Sequence, residues 1–263
     1  MRLWKGIAME AFTVVMPVHN EEIFLPLSLP SIYNLKPSEV ILLFDRCTDK
    51  SVEVAKDLSS KHQFYEKTKF VEVRENNNWK SSYSFLRCYG IDMASNDIIL
   101  ITGADLILSS RITDHIFRIH HFPFISFNYK EIPVNFTNLM QRLLSHLPPP
   151  FKSDKLAGIY FVNRRVMYEC EDREKLKQLD AGEETFLHYS IKKRYSTDYV
   201  ITNTIHLRPK HSAERQYVKG RLYWKSGHRG ILKMALVAVL TCRFSTIKGY
   251  IHERFGTRNE IGA

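Results

Sequence analysis

Hydrophobic positions in the first half of the chain fall into short apolar runs that are separated by longer mixed segments. The runs, rich in Val, Ile, Leu and Phe and typical of buried strands, lie at residues 12–16, 40–44, 70–73 and 98–101. The mixed segments predict helices that end near Tyr33, Lys61 and Ala94, the first of them capped by the polar residues 20–22. Strands that alternate with helices predict right-handed crossovers and a mainly parallel sheet, hence an α/β fold.

The second half of the chain is less regular. Residues 124–129 and 158–162 are strand-like, and residues 183–193 predict a helix with two carboxylates at its start and two lysines at its end. From Gly227 onward the sequence is basic and apolar. Its longest apolar stretch, residues 234–240, is far shorter than the ~20 residues that a membrane-spanning helix needs.

Charge and cysteine content narrow the function only in part. The formal net charge of +10 favours anionic partners such as nucleotide phosphates, anionic lipid surfaces or nucleic acid. No recognisable nucleic-acid-binding module is present, so we expect no nucleic-acid partner. The four cysteines form no Cys-x-x-Cys pair, which favours reduced thiols over a zinc site or a disulfide framework. Together with an N-terminus that lacks the apolar core of a signal peptide, this predicts a cytoplasmic protein.

Carboxylates follow two of the predicted strands directly. Asp45 comes after the second apolar run, and Asp105 comes after the fourth, behind Gly103-Ala104. In open α/β sheets, ligands bind beyond the carboxyl ends of the strands. We therefore expect both carboxylates at one edge of the sheet. The alternative for each is a helix N-cap, which is a common place for an isolated Asp.

The order of these signals resembles that of the family 2 glycosyltransferases of GT-A fold, over about residues 11–210. The stretches that carry the resemblance are Pro17-Val18-His19-Asn20-Glu21, Asp45-Arg46-Cys47-Thr48-Asp49, Asn78-Trp79-Lys80-Ser81, Gly103-Ala104-Asp105, Ala157-Gly158-Ile159-Tyr160 and Glu183-Glu184. Three departures stand out. Arg46-Cys47 stands where the family usually has Gly-Ser, between the retained Asp45 and Thr48-Asp49. Gly103 replaces the first Asp of the family's Asp-x-Asp motif, and Glu184 stands where the family commonly has Asp.

The resemblance implies a Rossmann-like three-layer α/β/α sandwich with a mostly parallel central sheet and a C-terminal helical extension. The glycosyltransferase domain would cover residues 1–210, with a nucleotide-binding half at about 11–110 and an acceptor-binding half at about 111–210. It implies transfer of a sugar from a UDP- or GDP-linked donor to a hydroxyl or phosphate acceptor, with inversion and with Mn²⁺ or Mg²⁺. The acceptor would be a glycan, a lipid-linked molecule or a small molecule.

The same resemblance assigns roles to individual residues. Asp105 and His206 would bind the metal, and Glu184 or Glu183 would be the catalytic base. The residues implied to bind the nucleotide sugar are Pro17, Val18, His19, Glu21, Asp45, Lys80, Gly103 and Ala104. A diphosphate leaving group makes sense of these residue types, because its departure needs positive charge from a cation or from basic side chains.

Each role has a structural alternative. The Glu183-Glu184 pair could complement a helix dipole, His206 could be a packed histidine, and Lys80 could be a solvated lysine. For the whole chain, the alternative is a catalytically inactive module that keeps the fold and binds a nucleotide or a glycan.

The C-terminal segment allows a further hypothesis. Residues 211–263 are predicted to be helical, basic and amphipathic, and residues 216–240 mix basic, aromatic and aliphatic side chains. Such a segment suits peripheral contact with the inner face of a membrane, at ~1 kcal/mol per Lys or Arg near an anionic surface. The alternative is that its apolar face packs on the protein core.

Overall fold

The computed structural model describes residues 10–75, 78–131, 158–179, 182–207 and 251. The strands are β1 Thr13–Val18, β2 Glu39–Asp45, β3 Thr68–Val73, β4 Ile98–Ile101, β5 Leu106–Ile107, β6 Phe124–Phe127, β7 Lys130–Glu131, β8 Tyr160–Asn163, β9 Asp198–Val200 and β10 Ile205–His206. The α-helices are α1 Leu25–Tyr33, α2 Ser51–Lys61, α3 Ser82–Met93, α4 Arg164–Cys170, α5 Arg173–Lys177 and α6 Glu183–Lys192. Two 3-10 helices lie at Tyr65–Lys67 and Ser110–His120.

The large sheet has the strand order β3-β2-β1-β4-β8-β6-β9. The strands β3, β2, β1 and β4 are parallel to one another, as are β6 and β9, whereas β8 runs antiparallel to both of its neighbours. The prediction of a mainly parallel sheet is therefore confirmed. All residues of β1 and β4 are buried, because helices cover both faces of the sheet.

Apolar side chains form one core on each face of the sheet. Alternate residues of β1 and β4 point to opposite faces, so that Val14 and Leu100 join one core and Val15 and Ile101 join the other. Helix α1, Ala55 of α2 and the longer 3-10 helix cover the first face. Helices α3 to α6 cover the second face. This arrangement is the predicted three-layer α/β/α sandwich.

A second, small sheet has the order β5-β10-β7. Strand β10 pairs antiparallel with β5, and His206 lies opposite Leu106 in this pairing. The backbone N–H of Leu207 also donates to the carbonyl of Asp105 at 2.9 Å. The small sheet thus places residues 205–207 beside residues 105–107.

The start of α1 differs from the sequence prediction. The helix begins at Leu25 after Phe24, which makes no side-chain cap, so residues 20–22 do not cap it. Glu22 instead joins the turn after β2: its backbone N–H donates to Asp49 at 3.0 Å, and its carboxylate accepts from the N–H of Lys50 at 2.9 Å. These bonds tie the loops after β1 and β2 together at the carboxyl edge of the sheet.

Contacts divide the chain into two compact units, one of residues 1–130 and 155–207 and one of residues 131–154 and 208–263. The large sheet belongs to the first unit. Apart from Ile251, the predicted amphipathic segment at 211–263 lies outside the described residues. Among the helices that are described, none is long and apolar enough to cross a lipid bilayer.

Gly90 lets α3 pack closely on the sheet. A Cβ at this position would overlap Cγ1 of Val15 and lie 2.8 Å from Cδ1 of Leu43. We expect Gly90→Ala to lower the free energy of unfolding by about 1–3 kcal/mol through overpacking, measured by urea denaturation. The sign of the change in the free energy of unfolding shows whether α3 packs closely at this position. On an exposed helix the same substitution is stabilising, because Ala stabilises a helix by up to about 1 kcal/mol relative to Gly.

The control for this substitution is Ser60→Ala, at an exposed position of α2, with an expected change within about 0.5 kcal/mol. A Gly90→Ala variant as stable as the unchanged protein would contradict the close approach of α3 to the sheet.

Candidate active site

The predicted nucleotide-binding residues lie where β1, β2 and β4 end side by side. Pro17 and Val18 pair with Leu43 and Phe44 of β2 and are buried. His19 follows them, is exposed, and its Nδ1 donates to the backbone oxygen of Asp45 at 2.6 Å. The structure therefore brings the loops after β1 and β2 together, as the sequence predicts for a ligand-binding edge.

Asp45 does not stand alone at this edge. Arg46 donates to both of its carboxylate oxygens, from Nε at 2.7 Å and from Nη2 at 3.0 Å. The same Nη2 donates to Oγ of Ser82, at the start of α3, at 2.9 Å. The sequence showed Arg46 as a departure from the family pattern, but not that it pairs with the predicted ligand.

Glu21 and Lys80 occupy different environments. The backbone N–H of the buried Glu21 donates to Oγ of Ser51 at 2.8 Å. The carbonyl of Glu21 accepts from the backbone N–H groups of Phe24 and Leu25, where α1 begins. Lys80 is exposed, and its backbone N–H is bonded to the carbonyl of Lys177. Oγ of Ser81 then caps α3 by accepting from the N–H of Ser84. In these contacts the backbone of Glu21 and of Lys80 holds the loops in place. That their side chains bind a ligand stays a prediction.

The two predicted metal ligands are neighbours. Oδ2 of Asp105 lies 3.2 Å from Nε2 of His206, across the β5–β10 pair. The imidazole stacks on Tyr129 with a ring separation of 5.1 Å, which sets its orientation. The two residues are about one hundred positions apart in the sequence, and the pairing of β5 with β10 brings them together.

A carboxylate and an imidazole suit a divalent cation such as Mn²⁺. Within the described part of the chain, no group of three or more His, Cys, Asp or Glu residues could hold a metal ion. Asp105 and His206 therefore fit a cation that takes its remaining ligands from phosphate oxygens and water, as Mg²⁺ and Mn²⁺ commonly do beside nucleotides.

Gly103 and Ala104 are buried between β4 and the Asp105 carboxylate. A Cβ on Gly103 would lie 3.0 Å from Oδ1 of Asp105 and 3.8 Å from the hydroxyl of Tyr83. A side chain at position 103 would therefore press on the Asp105 carboxylate.

A buried arginine, Arg87 of α3, binds both glutamates of the predicted catalytic pair. Its Nη1 donates to Oε1 of Glu183 and, at 2.8 Å, to Oε2 of Glu184. Its guanidinium lies 4.1 Å from the ring centroid of Tyr83 and also faces Tyr160. Sequence reasoning missed this residue; the available signal was a charged residue between Leu86 and Cys88 on the apolar side of a helix.

Electrostatics keep Arg87 charged. Burial by itself lowers the pKa of its guanidinium, but the surrounding phenols and the carboxylates of Glu183 and Glu184 more than offset this and raise that pKa well above its ordinary value. Burial raises the pKa of the Tyr160 phenol well above its ordinary value, with Arg87 acting against the shift. Arg87 is therefore a permanent cation beneath the two glutamates.

The two glutamates differ in exposure. The Glu183 side chain is 4% exposed and also accepts a hydrogen bond from Ser84, whereas the Glu184 side chain is 22% exposed. Both lie in the first turn of α6 after Gly182, where the helix dipole favours negative charge. Only Glu184 combines contact with Arg87 and access to a ligand.

The metal-ligand pair and the glutamates belong to one continuous array. Tyr83 spans the distance between them: its hydroxyl adjoins Gly103 beside Asp105, and its ring covers Arg87, which holds Glu184. Gly158, with a φ of +68°, lets the backbone approach, because a Cβ there would lie 3.2 Å from Nη2 of Arg87. The structure thus brings together residues from the segment between β4 and β5, from α3, from β10 and from α6.

The large sheet with its antiparallel β8, and the small second sheet in which His206 comes beside Asp105, together form an α/β domain with a candidate site at the ends of its strands. Residues 13–170, more than half of the chain, match the family described as glycosyl transferase family 2. The chain belongs to that family, which is a family of sugar-transferring enzymes, and the resemblance inferred from the sequence is confirmed.

Two solved structures share the fold. S. aureus TarS (residues 1–349) superposes with a TM-score of 0.54 at 14% sequence identity. The superposition covers 95% of this chain and 74% of the TarS chain. TarS has also been solved with UDP. Glucosyl-3-phosphoglycerate synthase from Mycobacterium tuberculosis, solved with Mn²⁺, UDP and phosphoglyceric acid, has a TM-score of 0.52 at 18% identity and covers 82% and 78%.

A similar characterised sequence is the dolichyl N-acetyl-α-D-glucosaminyl phosphate 3-β-D-2,3-diacetamido-2,3-dideoxy-β-D-glucuronosyltransferase of Methanococcus voltae. It is 32% identical over 100 residues, which are 36% of this chain and 29% of that enzyme. The match therefore spans less than a third of the relative.

Removal of Arg87 should destabilise the fold strongly. We expect Arg87→Met to lower the free energy of unfolding by about 3–5 kcal/mol, because it leaves Glu183 buried without its cation. Urea denaturation checks this value. The control, Lys61→Met, breaks the exposed Lys61–Asp57 pair and should cost less than about 0.5 kcal/mol. Equal losses in the two variants would contradict the central role of Arg87.

Proposed function

We propose that this protein transfers a sugar from a nucleoside-diphosphate sugar to a hydroxyl or phosphate acceptor, with inversion at the anomeric carbon. The observation that carries the proposal is the continuous array from Asp105 and His206 through Tyr83 and Arg87 to Glu184. One end suits a diphosphate with its cation and the other end suits an acceptor hydroxyl. The UDP seen with TarS and the Mn²⁺ and UDP seen with the synthase are consistent with such a donor.

Glu184 is the proposed catalytic base. Its carboxylate accepts the proton of the acceptor hydroxyl as the acceptor oxygen forms a bond to the anomeric carbon. The bond from that carbon to the phosphate oxygen breaks, and its electron pair leaves with the nucleoside diphosphate. Arg87 orients the Glu184 carboxylate through the 2.8 Å hydrogen bond. Glu183, which is buried against Arg87 and Ser84, is a positioning residue.

Positive charge at the other end would stabilise the leaving group. Asp105 and His206 would hold a divalent cation, Mn²⁺ or Mg²⁺, that neutralises diphosphate charge when it is bound. Lys80, exposed beside the start of α3, adds a mobile cation at the same edge. The backbone of Pro17 to His19 and the side chain of Asp45 would line the nucleoside pocket, with Gly103 and Ala104 forming its floor.

The proposal is less specific about the acceptor molecule than about the donor. The Methanococcus voltae relative is named for a dolichyl-linked substrate, and the net charge of +10 suits an anionic acceptor or an anionic membrane surface. We therefore favour a lipid-linked or phosphorylated acceptor, with peripheral membrane contact through residues 211–263.

A second candidate function is nucleotide binding without catalysis. The absence of a side chain at Gly103 favours it, because one carboxylate fewer faces the metal. The two candidates differ in turnover and agree in nucleotide binding.

Loss of the base should abolish turnover and preserve the fold. We expect Glu184→Gln to lower kcat for nucleoside-diphosphate release from a panel of sugar nucleotides by about 10²- to 10⁴-fold, because the amide accepts no proton. Chromatographic detection of the released diphosphate measures this rate.

The matched control for the base is Glu174→Gln, at an exposed glutamate of α5, which should keep full activity. Unchanged turnover in Glu184→Gln would remove this residue from the catalytic role. Nucleotide binding without any turnover in the unchanged protein would favour the non-catalytic candidate.

Metal and nucleotide should stabilise the protein together. At a nucleotide concentration 100 times its Kd, we expect about 2.7 kcal/mol of stabilisation and a rise of several degrees in Tm, larger with Mn²⁺ than with EDTA. Asp105→Asn and His206→Gln should lose the Mn²⁺-dependent part.

Differential scanning fluorimetry measures these shifts. The control, His120→Gln, removes a surface imidazole that contacts Glu10 and should keep the full metal effect. A metal-dependent shift that persists in both Asp105→Asn and His206→Gln would contradict the proposed ligand pair.

A further inference from the structure

Arg46 has an unusual backbone conformation at the edge of the nucleoside pocket. Its φ is +48°, in the left-handed region where a non-glycine residue costs about 1–2 kcal/mol. The backbone N–H of Arg46 donates to the carbonyl of Val73 at 3.2 Å, which keeps this residue at the ends of β2 and β3. The conformation folds the side chain back over the preceding residue, Asp45.

The pair that results occupies both oxygens of the Asp45 carboxylate. Nε and Nη2 of Arg46 bind Oδ1 and Oδ2 side by side, in the fork geometry that a guanidinium makes with a carboxylate. Ser82 accepts a further N–H of Nη2 and so holds the guanidinium from the side of α3. Nη1 has no hydrogen-bond partner among the described residues, so its two N–H groups face a ligand or solvent.

This arrangement distinguishes between nucleobases. Guanine presents two adjacent N–H donors, which need both oxygens of a carboxylate at once. Uracil presents one N–H donor between two carbonyl oxygens. A carboxylate that is already paired side by side with a guanidinium keeps one lone pair on each oxygen, and these two lone pairs point away from one another. It can therefore accept a single N–H but not two adjacent N–H groups at once, and the guanidinium beside it can donate to a neighbouring carbonyl. The Asp45–Arg46 pair therefore matches the uracil edge and conflicts with the guanine edge.

We infer that Arg46 is a specificity-determining residue, which, through its pairing with Asp45, makes the donor site accept uridine and reject guanosine diphosphates. This inference rests on the proposed function, because it assumes that Asp45 faces the base of a nucleotide donor. It goes beyond that function by committing the site to uridine and by giving the selection to a residue that departs from the family pattern.

The test compares UDP and GDP binding in the unchanged protein and in Arg46→Ala. With Mn²⁺ present, isothermal titration calorimetry should give tighter binding of UDP than of GDP in the unchanged protein. Arg46→Ala should reduce this preference by roughly tenfold or more, because one good bidentate contact discriminates between bases by about 1–3 kcal/mol. GDP should gain affinity in the variant, since both oxygens of Asp45 become available to guanine.

Ser82→Ala is the matched control. It removes the tether to α3 and keeps the Asp45–Arg46 pair, so the ratio of the two affinities should stay unchanged. A structural or phosphate-binding role of Arg46 would weaken both nucleotides equally and leave the ratio constant in Arg46→Ala, which would overturn the inference. Tighter binding of GDP by the unchanged protein would also overturn it. Failure to bind either nucleotide would overturn the proposed function as well.

Discussion

A buried cation is the constraint on which the site depends. Arg87 is 2% exposed, and its guanidinium can stay in the interior only because two carboxylates and two aromatic rings surround it. Those partners come from α3, β8 and the first turn of α6, so the pairing determines how these elements meet. Nε of Arg87 and the hydroxyl of Tyr160 are buried without hydrogen-bond partners among the described residues, at a cost of about 1–3 kcal/mol each. Such costs are typical of sites where function, and not stability alone, determines the arrangement.

A second constraint, at the carboxyl edge of the sheet, is the hydrogen bonding between the loops that follow β1 and β2. Glu22 and Asp49 bind each other's loops through backbone N–H groups, and Asn20 accepts from the N–H of Thr48 at 2.8 Å. Polar side chains after β1 and β2 are therefore used for loop–loop contact. A single Asp or Glu in this part of the sequence is ambiguous, because the same motif residues are also candidates for ligand binding.

Most of the fold could be predicted from the sequence, because burial on both faces leaves a continuous apolar run wherever a strand lies. Strands β1 to β4 and helices α2, α3 and α6 lie close to their predicted positions. The predicted cap of α1 was wrong, since the side chains of Asn20 and Glu22 bond to a loop about thirty residues away and do not cap their own helix. Local cap signals compete with tertiary hydrogen bonds of similar strength, and the sequence does not show which partner lies nearby.

In the candidate site, too, some features follow from the sequence and others only from the tertiary structure. By itself, the sequence determined the sheet, its functional edge and the residue types Asp45, Asp105 and Glu183-Glu184, because these depend on local hydrophobic runs and on the residues that follow them. The family resemblance implied that His206 comes near Asp105, and the structure places the two side chains 3.2 Å apart. Only the tertiary structure decided that Arg46 pairs with Asp45, and that Arg87 holds one glutamate in the interior and leaves the other accessible. The physical reason is that these contacts join residues whose distance in space is set by strand pairing and helix packing, and a pattern of hydrophobicity along the chain carries no information about such distances.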